Sequence, residues 1–95
     1  MKEADNDLPY HGAELVRLGE NIRKVRLNLK LSQEALAHEC DLHRTYMSDV
    51  ERGSRNISMR SLLKIARALR VTVSDLTRNV ESGVDPQEEK SGKSA

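Results

Sequence analysis

Residues 43–56 read HRTYMSDVERGSRN, a segment in which a few apolar side chains recur within a largely polar stretch. Met47 and Val50 are three positions apart, so they would share one side of a helix over 44–52, and Gly53 would end that helix as a C′ glycine. The polar residues then face outward or flank the exposed side: Arg44, Thr45, Ser48, Asp49 and Arg52. This polar side is either a solvated face or a surface that contacts a ligand.

A second predicted helix precedes this segment. Ser32 is a good N-cap for a helix over 33–40, and Glu34 lies in its first turn, where the helix dipole favours a negative charge. Only residues 41–43 separate it from the next helix, which is the spacing of a helix-turn-helix, a motif whose second helix enters the major groove of DNA. Such short connections are also common in other all-helical proteins. The outward residues therefore carry more weight than the spacing.

Apolar residues predict three further helices, over 13–28, 59–69 and 74–79, and no strand. Ser58 caps the helix that begins at residue 59. The apolar residues that support these helices are Leu15, Leu18, Ile22, Val25, Leu29, Leu62, Leu63, Ile65, Ala66, Leu69, Val71, Val73 and Leu76. Phe and Trp are absent, so the core must be aliphatic, and a core does not explain Tyr46 among its polar neighbours. The sequence therefore predicts an all-α fold, a compact domain of five helices.

Residues 13–79 are predicted to form the folded domain. Residues 1–12 lack periodicity, and residues 80–95 are rich in charge, glycine and serine with almost nothing to bury. We therefore expect a flexible acidic N-terminal arm and a flexible C-terminal tail on either side of one helix-turn-helix domain.

The net charge of +1 hides an uneven distribution along the chain. Residues 15–78 hold 13 basic and 7 acidic residues, a net charge of +6, whereas residues 1–14 carry −3 and residues 79–95 carry −2. A positive body between acidic ends suits a polyanion such as double-stranded DNA, although surplus Lys and Arg often serve only solubility.

Length and composition argue against several other classes of protein. A chain of 95 residues has room for one small domain and not for a large pocketed enzyme. No signal peptide and no run of about 18 apolar residues is present, which predicts a cytoplasmic protein that contacts no membrane. Cys40 is the single cysteine and cannot form an internal disulfide.

Two kinds of chemical site are also not expected. His38 and Cys40 are two positions apart, and such residues on a helix point about 200° apart, so they cannot share a metal ion. No catalytic motif surrounds the Ser, His and Asp residues of the chain. We therefore predict no catalytic residue, metal, cofactor or small-molecule ligand.

The outward residues of the helix over 44–52 have side chains suited to DNA. Arg44 can reach a guanine with its two-pronged guanidinium, and Thr45 can give a hydroxyl to a base or phosphate or pack its methyl group on thymine. Tyr46 and Ser48 better suit phosphate or sugar contacts. The polar face of this helix is therefore predicted to contact DNA.

Asp49 is the exception on this face. A carboxylate near DNA is repelled unless it accepts a hydrogen bond from a cytosine amino group. Asp49 therefore either enforces specificity by exclusion or only orients Arg52 or Arg44.

Three stretches together resemble the helix-turn-helix regulators of the Xre, Cro and lambda-repressor type. These are IRKVRLNLKLSQEALA (22–37), HRTYMSDVERG (43–53) and SMRSLLKIARALRVTVSDL (58–76), and the resemblance covers about residues 18–76. Within that family, RTYMSDVERGSRNIS (44–58) resembles restriction-modification controller proteins. The resemblance implies a lambda-repressor-like domain that binds DNA specifically and regulates transcription, either activating or repressing.

The resemblance also implies roles for residues outside the third helix. Gln33 matches a glutamine that binds a phosphate and steadies the recognition helix. Arg55 and Asn56 lie in a loop that approaches the DNA backbone or the neighbouring groove. Arg26 and Glu51 match a pair that bridges the first and third helices, so we expect a structural ion pair there.

Three positions depart from the family pattern. Asp41 stands where the family often has glycine in a left-handed turn, and Arg70 replaces a common glycine after the fourth helix. His43 stands where Ser, Thr or Asp usually caps the recognition helix, so we expect a looser start to that helix.

A regulator of this type usually needs two DNA half-sites, which implies a homodimer on a palindromic operator. We expect part of the apolar C-terminal end to form the dimer contact: Leu63, Leu69, Val73 and Leu76. An alternative is an antitoxin or adaptor that uses the same fold mainly to bind protein. Residues 80–95 lack the long, apolar-patterned extension that usually neutralises a toxin, which counts against this alternative.

Overall fold

The computed structural model describes residues 9–81, which form five helices. These are α1 (Pro9–Asn28), α2 (Gln33–Cys40), α3 (Arg44–Arg52), α4 (Met59–Leu69) and α5 (Val73–Leu76). No strand occurs within this range, which confirms the predicted all-α class. None of the helices in the described part of the chain has the length and apolar character that crossing a bilayer requires.

Side-chain caps set where the middle helices begin. The Ser32 hydroxyl accepts a hydrogen bond from the backbone N–H of Ala35 (3.0 Å), and the Ser58 hydroxyl accepts one from that of Ser61 (3.1 Å). His43 has the extended backbone of an N-cap but makes no capping hydrogen bond with its side chain. Both predicted serine caps are confirmed, and α3 begins without such a bond.

Three helices end in a residue with left-handed backbone geometry. Asp41 (φ 58°), Gly53 (φ 77°) and Arg70 (φ 61°) each donate their backbone N–H to carbonyls of the preceding turn. Only glycine adopts this conformation without steric cost, and other residues lose on the order of 1 kcal/mol. The chain therefore carries some local strain at Asp41 and Arg70, two of the positions that depart from the family pattern.

The hydrophobic core lies between all five helices and is aliphatic apart from two sulfur-containing side chains. Its buried apolar members are Leu18, Ile22, Leu36, Ala37, Cys40, Met47, Val50, Leu62, Ile65, Ala66, Leu69 and Leu76. Leu29 was predicted to join them but is exposed, because α1 ends at Asn28 and the helical spacing no longer holds beyond it.

The ends of the folded part differ from the prediction. Helix α1 begins at Pro9 instead of residue 13, which suits proline because the first helical position needs no backbone N–H. Helix α5 is shorter than expected, yet Val80 packs against the core and its carbonyl accepts a hydrogen bond from Nε of Arg17 (2.8 Å). Folded structure therefore extends into both predicted arms, whose remaining residues, 1–8 and 82–95, lie outside the described part.

Helices α1 and α3 cross at very short range. A Cβ atom on Gly19 would overlap the carbonyl oxygen of Glu51 and lie 2.6 Å from that of Val50. A Cβ on Gly53 would lie 2.6 Å from the backbone of Val16. The two glycines thus allow the backbone of α3 to rest directly on α1.

Candidate nucleic-acid interface

Helices α2 and α3 form the predicted helix-turn-helix. The left-handed Asp41 reverses the chain, and the backbone N–H of Leu42 donates to the carbonyl of Ala37 (2.9 Å). Ala37 and Cys40 are both buried where α2 meets the rest of the core. Small side chains at these two positions leave space for the sharp turn, so the motif is held by packing beneath it.

The predicted outward residues of α3 share one surface. A shallow concavity of about 220 Å³ is lined by Arg44, Thr45, Ser48, Asp49 and Arg52. The inward side of the same helix carries Met47 and Val50, both buried. We call these five lining residues the α3 surface.

Asp49 occupies a central place on the α3 surface, where it contacts two arginines. Its Oδ1 lies 2.6 Å from Nη2 of Arg52, and its Oδ2 lies 3.1 Å from Nη2 of Arg55. Arg44 makes no hydrogen bond or ion pair with any residue between 9 and 81. Of the two arginines that the sequence offered as partners of Asp49, Arg52 is the one that it contacts.

Tyr46 lies beside the α3 surface and is half-buried. Its ring packs against the hydrophobic core, and the guanidinium carbon of Arg55 stands 5.0 Å from the ring centroid. That distance is within the range of a cation–π interaction. Packing against the core therefore accounts for part of the role of Tyr46, contrary to the sequence-based expectation. The Tyr46 ring lies between the core and solvent.

A buried network ties α1, α2 and α3 together. Arg26 and Glu51 are only 6% and 7% exposed, and two hydrogen bonds join them, from Nε to Oε2 (2.6 Å) and from Nη2 to Oε1 (2.9 Å). Arg26 also donates from Nη1 to the carbonyl of Leu31 (2.7 Å), and Gln33 donates from Nε2 to Oε1 of Glu51 (3.0 Å). The predicted ion pair is present, and Gln33 contacts α3 through Glu51. The phosphate contact of Gln33 stays a prediction.

The loop after α3 folds back on that helix. The hydroxyl and the backbone N–H of Ser54 both donate to the carbonyl of Asp49, at 3.2 and 3.0 Å. This reversal brings Arg55 alongside α3, while Asn56 is exposed. The loop therefore places Arg55 beside the α3 surface.

The predicted dimer residues fall into two groups. Leu69 and Leu76 are 1% and 0% exposed in the single chain, so the prediction that they contact a partner is wrong, because both side chains already fill the core. Leu63 is 39% exposed, and Val73 is half-buried. Sequence analysis missed Met59, which is 62% exposed and lies one helical turn before Leu63, a spacing that places two apolar side chains side by side.

Cys40 is the one buried thiol. Burial, with a smaller effect of the Glu39 charge, raises the pKa of the thiol from its ordinary 9.0 to about 11, against an opposing effect of Lys64. The thiol therefore stays protonated near neutral pH and acts as a small apolar side chain. Within the described residues, no group of three or more His, Cys, Asp or Glu side chains is placed to hold a metal ion.

Comparison with known proteins agrees with this geometry. A helix-turn-helix family model matches residues 22–76, which include α2 to α5. The chain is 54% identical over 59 residues to control protein C.BamHI of Bacillus amyloliquefaciens, covering 61% of this chain and 73% of that protein. It is 42% identical over 67 residues to control protein C.MunI of a Mycoplasma species, covering 70% of this chain and 90% of that protein.

A solved structure shows the same fold. The restriction-modification controller protein C.AhdI from Aeromonas hydrophila superimposes with a TM-score of 0.66 at 44% identity, covering 67% of this chain and 97% of that one. The sequence match, the fold and the geometry of the helix-turn-helix all agree. The chain belongs to the Xre and lambda-repressor-like helix-turn-helix family of DNA-binding transcription regulators.

Proposed function

We propose that this protein is a controller of restriction-modification genes that binds a palindromic operator as a homodimer in the cytoplasm. The observation that carries the proposal is the α3 surface, which combines an arginine that has no ion-pair partner among residues 9–81 with hydroxyl groups on the exposed side of a helix-turn-helix. Relatives named control proteins and a solved restriction-modification controller support the narrower role.

Two residues of the α3 surface are proposed to read bases. Arg44 lies in the first turn of α3, where its guanidinium can reach O6 and N7 of a guanine in the major groove. Thr45 follows it and is exposed, so its hydroxyl or methyl group can meet the next base. Neither side chain has a hydrogen-bond partner within residues 9–81 that it would have to give up.

A second set of residues is proposed to contact the DNA backbone. Gln33 opens α2, where the helix dipole and the first backbone N–H groups favour a phosphate. Its Nε2 carries two hydrogens, of which the bond to Glu51 uses one. The other proposed backbone contacts are Tyr46, Ser48 and Asn56, while Arg52 and Arg55 lie beside them with their charge partly offset by Asp49.

The dimer contact is proposed to lie on α4 and α5, at Met59, Leu63 and Val73. A concavity of about 440 Å³ beside the two α4 residues is rimmed by three basic side chains, Arg60, Lys64 and Arg67. Because two copies would bring this positive charge together, added salt should strengthen the dimer by screening the repulsion. The same salt should weaken DNA binding, so the two equilibria should respond in opposite directions.

Selection of bound duplexes from a random pool tests the proposal directly. Enrichment of a palindromic sequence, followed by size measurements of the complex at two chains per duplex, is the expected result. Failure to enrich any motif at low salt would refute it.

Two substitutions then separate the proposed roles. Arg44→Ala should lower affinity for the selected site by a factor that corresponds to about 1–3 kcal/mol and relax the choice of base at one position. Gln33→Ala should lower the affinity for the selected site and for random DNA by a similar factor, since a phosphate contact carries no sequence information. Equal losses on both kinds of DNA from Arg44→Ala would argue against base reading by Arg44.

A further inference from the structure

Asp49 is the only carboxylate that lines the α3 surface. Phosphates repel it, as do the acceptor atoms O6 and N7 of guanine and O4 of thymine. A negative charge at this position therefore opposes DNA binding unless the carboxylate has another role. The structure shows what it contacts: its two oxygens hold two separate guanidinium groups, those of Arg52 and Arg55.

Each of these arginines is also held at a second point. Nη1 of Arg52 donates to the Ser48 hydroxyl (3.0 Å), and the guanidinium of Arg55 lies over the ring of Tyr46. Asp49 thus joins two arginines from different elements, one on α3 and one in the loop beyond Gly53. Both guanidiniums are exposed, with 63% and 47% of the side-chain surface accessible, so DNA can reach them.

Arg44 differs from both, since it has no such partner within residues 9–81. Arg44 is therefore the one arginine of the α3 surface whose charge no carboxylate in the described chain offsets. Around Asp49, two positive charges and one negative charge leave a net charge of about +1 where the arginines alone would supply +2.

We propose that Asp49 is a selectivity residue, which restrains Arg52 and Arg55 from attracting DNA phosphates regardless of sequence and leaves discrimination between bases to Arg44 and Thr45. The inference rests on the proposed DNA contacts of the α3 surface. Asp49 lowers affinity for every duplex, but it lowers affinity for random DNA most, because binding there depends almost wholly on phosphate charge.

Removal of the charge should change the salt dependence of binding in a calculable way. Each phosphate newly neutralised steepens the slope of log affinity against log salt by about 0.9. Asp49→Asn should therefore steepen the slope by about 0.9 if one arginine is released and about 1.8 if both are. Between about 50 and 200 mM salt, a fourfold change, the mutant should lose about 3.5-fold to 12-fold more affinity for random duplex than the wild type.

The matched control is Glu39→Gln, which changes net charge by the same amount on an exposed residue of α2 beside α4. We would measure the binding of both variants and the wild type to the selected operator and to a random duplex by fluorescence anisotropy over a salt series. Asp49→Asn should bind random duplex more tightly at low salt, steepen the slope and lower the ratio of operator to random affinity. Glu39→Gln should leave the slope within about 0.3 of wild type, since Glu39 does not line the α3 surface and contacts neither Arg52 nor Arg55.

A second measurement distinguishes this role from a structural one. The change in slope should disappear when Asp49→Asn is made in an Arg52→Gln/Arg55→Gln background, because no arginine is left to release. Circular dichroism of the helices and thermal unfolding identify any variant that fails to fold. An unchanged slope for Asp49→Asn, or a change that persists without the two arginines, would overturn the inference. If the wild type itself selects no operator, the proposed function fails instead, and the two failures are distinguishable.

Discussion

Replacement of Glu51 by Gln should destabilise the domain severely, although the two side chains have nearly the same shape. Glu51 is 7% exposed and accepts three hydrogen bonds, two from Arg26 and one from Gln33. The substitution removes the negative charge and leaves the guanidinium of Arg26, itself 6% exposed, without its counter-charge. A buried arginine cannot lose its proton to escape this cost.

The magnitude follows from the burial of both partners. Breaking a buried ion pair by removing one partner costs about 3–5 kcal/mol, because the remaining charge stays desolvated. The total stability of a small domain is about 5–15 kcal/mol, so Glu51→Gln removes a large fraction of it. For a domain of this length, each kcal/mol shifts Tm by about 4–8 °C, which predicts a loss of at least about 12 °C.

Urea denaturation followed by circular dichroism measures the change, with Glu39→Gln as the control for the same substitution at an exposed position. Glu39→Gln should change stability by less than about 0.5 kcal/mol. The double variant Arg26→Met/Glu51→Met should lose less than the sum of its single variants, since it leaves no unpaired charge in the core. A loss below about 1 kcal/mol for Glu51→Gln, or strict additivity in the double variant, would refute the reasoning.

Three other properties are open to measurement. His43→Ser should stabilise the domain by about 1 kcal/mol in urea denaturation, because it supplies the N-cap hydrogen bond that α3 lacks; a loss of stability would contradict this. The Cys40 thiol, with its pKa raised by burial to about 11, should resist iodoacetamide at pH 8 until urea unfolds the chain, and equal rates in both states would rule out its burial. The backbone N–H of Thr72 and its side chain hold the pKa of Asp75 below its ordinary 3.8, so the stability this carboxylate contributes is fully present above pH 3.8 and lost as pH falls through the lowered value. Thermal unfolding of the wild type and Asp75→Asn should accordingly converge as pH falls from 7 to 2, and a constant difference would show that the carboxylate charge is not involved.

Local signals made most helix ends predictable. Ser32 and Ser58 begin α2 and α4 through bonds to backbone N–H groups three residues on, and Gly53 ends α3 with a left-handed backbone. Each of these effects depends on a few adjacent residues, so each can be recognised in a linear sequence. Pro9 carried a similar signal for the start of α1, which the apolar periodicity alone did not reveal.

Contacts between distant elements were harder to predict. Periodicity identified Leu69 and Leu76 as apolar but could not tell whether the same chain or a partner covers them. The link from Asp49 to Arg55 depends on the chain reversal after Gly53, which brings the loop back over α3. The Arg26–Glu51 pair, 25 residues apart, was expected only from the family resemblance, because no local rule connects the two positions.

The crossing at Gly19 divides the recognition helix into two sides under different constraints. Where the backbone of α3 rests on α1, a side chain larger than glycine at Gly19 would meet the carbonyls of Val50 and Glu51, so a substitution there would separate the two helices. The atoms at this crossing belong to Val50 and Glu51 and not to the residues of the α3 surface. If the α3 surface reads bases as proposed, the choice of operator could be changed by exchanging outward side chains alone, without repacking the core.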